Sequence, residues 1–352
     1  MSLFNYLDKQ YKDKKPFAVY RKPNTETIIG LFQEDTKLHQ VESFLECGFV
    51  LAPFDKGERF YIPYKGSLLL TENRKLLPLS DYEPLLDYDE PIARLAFEDL
   101  VTRCVAAIKQ GKFEKVVPSR KESIEYDPID LSLLFQKIDT IYPTAFCSMV
   151  YHPEIGLWVG ATPETLLSLR ENKLHTMALA GTQVNHGREE VEWGKKEIDE
   201  QAYVTEFIID TLKPYANSVK YSAPFAKRAA KVMHICTDIE VELKNNNLKA
   251  IVADLHPTPA VCGLPKAPAR DFLIKEEGYD REYYAGYLGE LNYSLEEGPA
   301  QATDLYVNLR CMNIADKKVN LFIGCGVTIE SDPTSEFIET VNKSFTMKKV
   351  LK

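Results

Sequence analysis

Four strand-like runs follow one another with short gaps, near residues 145–150, 155–160, 165–170 and 173–180. The pattern returns near the C-terminus. There DLYVNLRCMNI and KKVNLFIGCGVTIE alternate apolar with other residues across a short ADKK, which predicts a β-hairpin. Strands in adjacent runs, rather than in strict βαβ alternation, predict an α+β fold with large antiparallel sheets. Helices flank them. One covers 91–111, with Pro91 near its start, apolar Leu95, Val101, Val105 and Ile108, and Gly111 as C-cap. Others are expected at about 128–140 and 190–214, the latter spaced by Ile198, Ala202, Thr205, Ile209 and Leu212. A last helix begins at SDPTSEF, with Asp332 as N-cap and Pro333 in the first helical position. Residues 1–90 read as a mostly β segment, with short apolar runs at 28–32, 49–52 and 67–70 and frequent Pro, Gly and Asp.

A chain of 352 residues can bury a large core. Its net charge of −9, with no Lys/Arg block, makes the chain a poor candidate for nucleic acid or anionic membrane, and neither is expected as a partner. Seven cysteines without a CxxC fit reduced thiols and a cytoplasmic location. The opening MSLFNYLDKQYKDKK lacks an apolar core, so no leader is expected, and no run approaches a membrane span. The histidines lack metal-binding spacing.

Several residues stand out chemically. In FEKVVPSRK, read as one strand, Lys115 shares a face with apolar Phe113 and Val117. Glu197 and Glu200 lie three apart on the long helix above Val204, Phe207 and Ile208, and Glu336 and Glu339 repeat the spacing with Lys343 one turn on. Each pair alone is compatible with a solvated, acidic helix start. If the two helices face each other, four carboxylates need a cation, and oxygen-only ligands favour Mg²⁺. Arg310 on one hairpin strand and the bare face of Gly324 and Gly326 on the other could receive a planar carboxylate, or mark a bulge or tight packing. The same choice applies to Gly181 in MALAGT. Glu164 in GATPETLL alone reads as a turn or cap residue, and His234 and His256 as semi-buried, satisfied histidines.

In order along the chain, KVVPSR, GATPETLL, LAGT, KEIDE, VMH, HPTPAVCGLPK, YYAGYLG, LRC, GCGV and SDPTSEFIETVNKS resemble the chorismate-utilising enzymes. These are the isochorismate, salicylate, anthranilate and aminodeoxychorismate synthases. The resemblance runs from about residue 92 to the C-terminus. It implies a chorismate-binding domain over 91–352, with 1–90 a variable N-terminal segment packed on it. It also implies two facing subdomains with one active site between them, and one Mg²⁺. Carried over, Glu200 and Glu339 resemble the direct metal ligands, supported by Glu197 and Glu336. Arg310, Tyr284 and the backbone at Gly324 resemble the site for the enolpyruvyl carboxylate. Gly181, Thr182, Ala260, Gly326 and Lys343 belong to the same lining, and His234 matches a family histidine near the ring.

Ammonia-using members carry glutamine at the position of Lys115, and aminodeoxychorismate synthases carry a lysine at the position of Ala180. Water-using members have the lysine at 115. Lys115 therefore resembles their general base and Glu164 their general acid, and the likeness is nearest to isochorismate synthase. Such a base must be held neutral, and such an acid must keep its proton near neutral pH. Alanine at 260, often threonine in anthranilate and salicylate enzymes, points the same way. Gln201, Val261, Cys262 and Pro118 depart from the commoner pattern. Salicylate synthase, anthranilate synthase and a non-catalytic chorismate-binding protein are the competing readings. The expected partner is chorismate alone, with no glutaminase subunit and a monomeric chain.

Overall fold

The computed structural model describes residues 2–78, 91–125, 130–184, 192–229, 232–295, 298–299, 302–315 and 317–351. Every strand pairing among them is antiparallel, in two large sheets and two small ones. The eight-stranded sheet runs Ser67–Asn73, Thr27–Gln33, Phe17–Arg21, Phe146–His152, Gly156–Thr162, Cys311–Ala315, Lys318–Gly324, Ser119–Glu125. The ten-stranded sheet runs Ala216–Tyr221, Val232–Leu243, Lys173–Val184, Thr165–Arg170, Ala302–Val307, Tyr287–Leu291, Gly48–Ala52, Phe60–Pro63, His39–Gln40. Phe225–Ala229 also pairs with Val232–Leu243. The α+β class with large antiparallel sheets is what the adjacent strand runs predict.

Seven α-helices accompany the sheets among the described residues: α1 (Leu3–Lys12), α2 (Pro91–Lys109), α3 (Leu131–Ile141), α4 (Lys195–Leu212), α5 (Leu248–Leu255), α6 (Lys266–Glu276) and α7 (Pro333–Lys348). Phe146–His152 and Phe17–Arg21 are buried at every position because both faces of their sheet are covered. On one face Phe17, Val19, Met149 and Val159 pack on Leu7 of α1, Phe135 and Ile138 of α3 and Met347 of α7. On the other, Ala18, Tyr20, Val150 and Trp158 share a core with Val50, Leu167, Ala178 and Leu305 of the ten-stranded sheet. Val204, Ile208 and Leu212 bring α4 into this second core. The expected caps are present: Asp332 accepts from Ser335 N at 2.8 Å, and Gly111 has φ +73°.

Three features differ from the sequence reading. FEKVVPSRK is two strands. Lys115–Val116 pairs with Gly263–Leu264 in a small separate sheet, whereas Ser119–Glu125 joins the eight-stranded one. Pro118, with no N–H to donate, stands at the break, and its carbonyl accepts from Cys325 N. DLYVNLRCMNI is likewise split. Ala302–Val307 lies in the ten-stranded sheet, and the hairpin proper is Cys311–Ala315 with Lys318–Gly324. Arg310, at φ +48°, is in the crossover and not on a hairpin strand, and Gly326 lies past the end of the second strand. Finally, the mostly β N-terminal segment opens with α1, where Leu3 and Leu7 are buried and Ser2 Oγ caps Asn5 N. Its strands belong to both large sheets.

Candidate active site

The chain crosses between the two large sheets at Pro163–Glu164 and again at residues 308–310. Both crossings open onto one cavity. Glu164, Gly181, Glu197, Glu200, His234, Ala260, Tyr284, Arg310, Gly324, Gly326, Glu339 and Lys343 all line it. Lys115 stands just behind the lining, fully buried, with Nζ 2.8 Å from Glu200 Oε1. Glu336 is buried on α7 outside the lining. The side chain of Thr182 lies outside the described residues, although its backbone pairs with His234.

Glu164 is held by its backbone: its N–H donates to Thr162 Oγ1 at 3.2 Å and its carbonyl accepts from Val307 N at 3.0 Å. Burial pushes its carboxyl up to about 7, against the opposing pull of Lys115, Arg310, Lys227 and Lys343. A carboxyl at that value keeps its proton in an appreciable fraction at neutral pH, as a general acid requires. Burial lowers the Arg310 guanidinium from its ordinary value but leaves a cation facing the cavity. The strand carrying Gly160 comes close to Arg310, since a Cβ there would sit 3.1 Å from Arg310 O.

His234 Nδ1 donates to Gly181 O at 3.1 Å, and burial, followed by Arg310 and Lys343, lowers the ring to about 3. The imidazole is therefore neutral, with Nε2 as its acceptor nitrogen. Tyr284 is buried, its phenol held protonated by burial, and its ring stacks on Phe322 with centroids 5.6 Å apart. His256 is a satisfied structural histidine: Nε2 faces Pro53 O and Phe54 O at 3.2 Å each.

The second wall comes from α4 and α7. Glu197, Glu200 and Glu339 form an oxygen-only set on the cavity. Glu200 is paired with Lys115, and Glu339 with Lys343 at 2.6 Å, so two of these carboxylates already hold cations. Lys343 also donates to Gly324 O at 3.1 Å. Among the described residues, no three His, Cys, Asp or Glu side chains converge as a preformed ion site. The bare glycines have local reasons. Gly181 sits at φ +68° in a bulge, and a Cβ there would lie 3.0 Å from Glu197 Cβ. At Gly326 a Cβ would lie 2.4 Å from Glu200 Oε1, and at Gly324 2.9 Å from Tyr284 Oη. Glycine at 324 and 326 thus admits protein side chains to the cavity wall.

Leu309, Phe322, Ser344 and Met347 also line the cavity and are missed by sequence reasoning. Ser344 and Met347 were accessible to it, because they continue the α7 face of Glu336, Glu339 and Lys343 by one turn. Phe322 and Leu309 carry no such signal. Among the described residues no helix is long and apolar enough to cross a membrane.

A family model described as "Chorismate binding enzyme" matches residues 40–352. The salicylate biosynthesis isochorismate synthase of Pseudomonas aeruginosa is 32% identical over 270 residues, 73% of this chain and 55% of that protein. Isochorismate synthase MenF of Escherichia coli is 27% identical over 267 residues, 73% of this chain and 60% of that protein. The matched part thus spans little more than half the length of these relatives. A crystal structure of a putative 2,3-dihydroxybenzoate-specific isochorismate synthase, DhbC, from Bacillus anthracis has the same fold. Its TM-score is 0.79 at 24% identity, covering 98% of each chain. By the family model, which takes in most of its length, the chain belongs to the chorismate binding enzymes.

Proposed function

We propose that this chain is an isochorismate synthase, converting chorismate to isochorismate with Mg²⁺. The observation that carries the reading is the combination of two groups at one cavity. Lys115, not glutamine, is buried against it, and Glu164 is held near 7 on it. The names of the relatives support the same reading.

In the proposed reaction Lys115 Nζ accepts a proton from water as the water oxygen bonds to C2. The ring double bonds shift, the C4–O bond breaks, and Glu164 donates its proton to the departing hydroxyl. One water is taken up and one released, so the product is an isomer. Arg310 and Tyr284 receive the enolpyruvyl carboxylate, and Lys343 sits beside them at Gly324 O. Neutral His234 and Ala260 line the space for the ring. The oxygen donors and their need for cations fit Mg²⁺, with Glu200 and Glu339 as ligands once they leave their lysines, and Glu197 and Glu336 in support. When bound, Mg²⁺ supplies charge compensation and orientation for the ring carboxylate. Release of Glu200 from Lys115 also removes the carboxylate paired with the ammonium, which must give its proton to solvent before the neutral amine can take one from the attacking water. Lysine at 115 further supports action without a glutaminase subunit. The product would serve menaquinone or catechol siderophore assembly.

The test is chromatographic identification of the product from chorismate, with and without Mg²⁺, coupled to pyruvate detection. Isochorismate formed only with the metal, and without pyruvate, is the expected result. Stoichiometric pyruvate would replace the proposal by salicylate synthase, and binding without turnover would replace it by a non-catalytic chorismate-binding protein.

A further inference from the structure

Arg281 does not line the cavity, yet its guanidinium joins several of its walls. Nη1 donates to Val261 O at 2.9 Å, and Nη2 to Val117 O at 2.6 Å. Nε and Nη2 also donate to the two oxygens of Glu277, at 2.8 and 2.5 Å. Glu277 in turn accepts from Ser119 N at 2.7 Å and Ser119 Oγ at 2.9 Å. Ser119 is the register partner of Gly324. A third connection runs through the backbone, where Arg281 O accepts from the N–H of Tyr284 at 2.9 Å.

The pair is buried, with Arg281 and Glu277 side chains 3% and 2% exposed, and Arg281 Cζ lies 4.3 Å from the Phe54 ring centroid. A buried ion pair is a poor source of stability, because desolvation offsets most of the attraction and apolar packing serves as well. The planar fork offers fixed geometry instead. It spans two carbonyls and a carboxylate at once, which an ammonium on a flexible stem does not reproduce. One of those carbonyls, Val117 O, is two residues from Lys115, and the other belongs to Val261, which lines the cavity.

We infer that Arg281, held by Glu277, is a positioning residue that sets the Lys115 strand against the Val261 wall, and so the distance from the amine to the reacting water. The inference rests on the isochorismate synthase reading. A shift of about 1 Å in a positioned group can cost roughly 10²-fold in rate. Of the groups proposed to hold the substrate carboxylate, Tyr284 meets the fork only through its ring, with Arg281 Cζ 5.6 Å from the centroid, a contact that a lysine cation can keep. Among the described residues no hydrogen bond joins the fork to Arg310 or Lys343.

The experiment is steady-state turnover of chorismate with Mg²⁺ by the full chain as wild type, Arg281→Lys and Glu277→Gln, with folded fraction measured by circular dichroism. For Arg281→Lys the expected result is a kcat lower by roughly 10²-fold and an essentially unchanged KM for chorismate. Glu277→Gln is expected to show the same split with a smaller loss. An unchanged kcat overturns the inference. So does a loss of rate matched by a loss of folded protein, or by an equal rise in KM. If Arg281→Lys does not fold, Glu277→Gln decides by the same criteria, and if neither folds the pair is scaffold and the inference fails. Wild type without turnover removes the reaction itself, whereas an active wild type with indifferent variants removes only the positioning role.

Discussion

Two walls of one cavity are built by opposite means. Glu164 and Arg310 sit on crossovers between the large sheets, where backbone hydrogen bonds hold the chain and burial strips water from the side chains. Glu197, Glu200 and Glu339 sit in the first two turns of α4 and α7, partly exposed, with Glu200 and Glu339 paired to lysines. Proton transfer needs a fixed group with a shifted affinity for its proton. Cation binding needs charged oxygens that can exchange one partner for another, and helix N-terminal turns tolerate such charge without full burial. Under the proposed function, the crossover wall would set the rate and the helical wall metal occupancy.

The largest expected effect is on the crossover wall. Glu164→Gln keeps shape and hydrogen bonding but cannot give up a proton, so turnover should fall roughly 10²- to 10⁴-fold. Mg²⁺ binding measured by calorimetry should stay near wild type. A Glu164→Gln protein that lost metal affinity along with rate would erase the distinction between the walls.

A second test reads the same residue through stability. The Glu164 carboxyl lies at about 7 in the folded protein, against an ordinary 4.5. Between these values the folded state keeps a proton that the unfolded state has released. The folded state binds more protons there, so stability falls as pH rises through that window, by roughly 3 kcal/mol in all from this group. Below 4.5 the contribution is fully present, and above 7 it is lost. Denaturant unfolding across pH 4.5–7.5 should show the loss in wild type and a shallower slope in Glu164→Gln. Equal slopes would mean that Glu164 is not desolvated in the way its burial implies.

The same contrast governs how much was legible in the amino-acid sequence. The helical wall is written locally: Glu197 with Glu200, and Glu336 with Glu339, share faces by spacing alone, and Asp332 with Pro333 marks where α7 begins. The crossover wall is not. Apolar alternation runs straight through Arg310 and through Pro118, so each reads as part of a continuous strand. Which sheet a strand joins is decided by contacts far away in the chain, such as Ser119 with Gly324. Glu164 looks like a turn residue until its burial is seen, and only the family resemblance pointed to an acid there. The short helix α1 was legible and unread, since Leu3 and Leu7 stand one turn apart. The Arg281 fork is half local, since Glu277 stands only four residues away, but its acceptors at Val117 and Val261 are brought to it by tertiary folding.

The smallest expected effect falls on the helical wall. Glu200→Gln removes one charged oxygen donor while keeping the side chain's size, so Mg²⁺ affinity by calorimetry should weaken by at least the roughly 10- to 100-fold that loss of even an indirect partner of a metal site costs. Rate at saturating Mg²⁺ should fall much less than in Glu164→Gln, because the proton donor and its burial are untouched. The substitution also takes away the carboxylate that holds Lys115 at 2.8 Å, so thermal unfolding should move down even without metal. Gly326→Ala probes the same contact without changing charge. Its Cβ would meet Glu200 Oε1 at 2.4 Å, the far end of a side chain that can turn aside, so its metal affinity should lie between wild type and Glu200→Gln. If Glu200→Gln instead lowered saturated turnover as far as Glu164→Gln does, the carboxylate would belong to the proton-transfer machinery, and a division of labour between the walls would not hold.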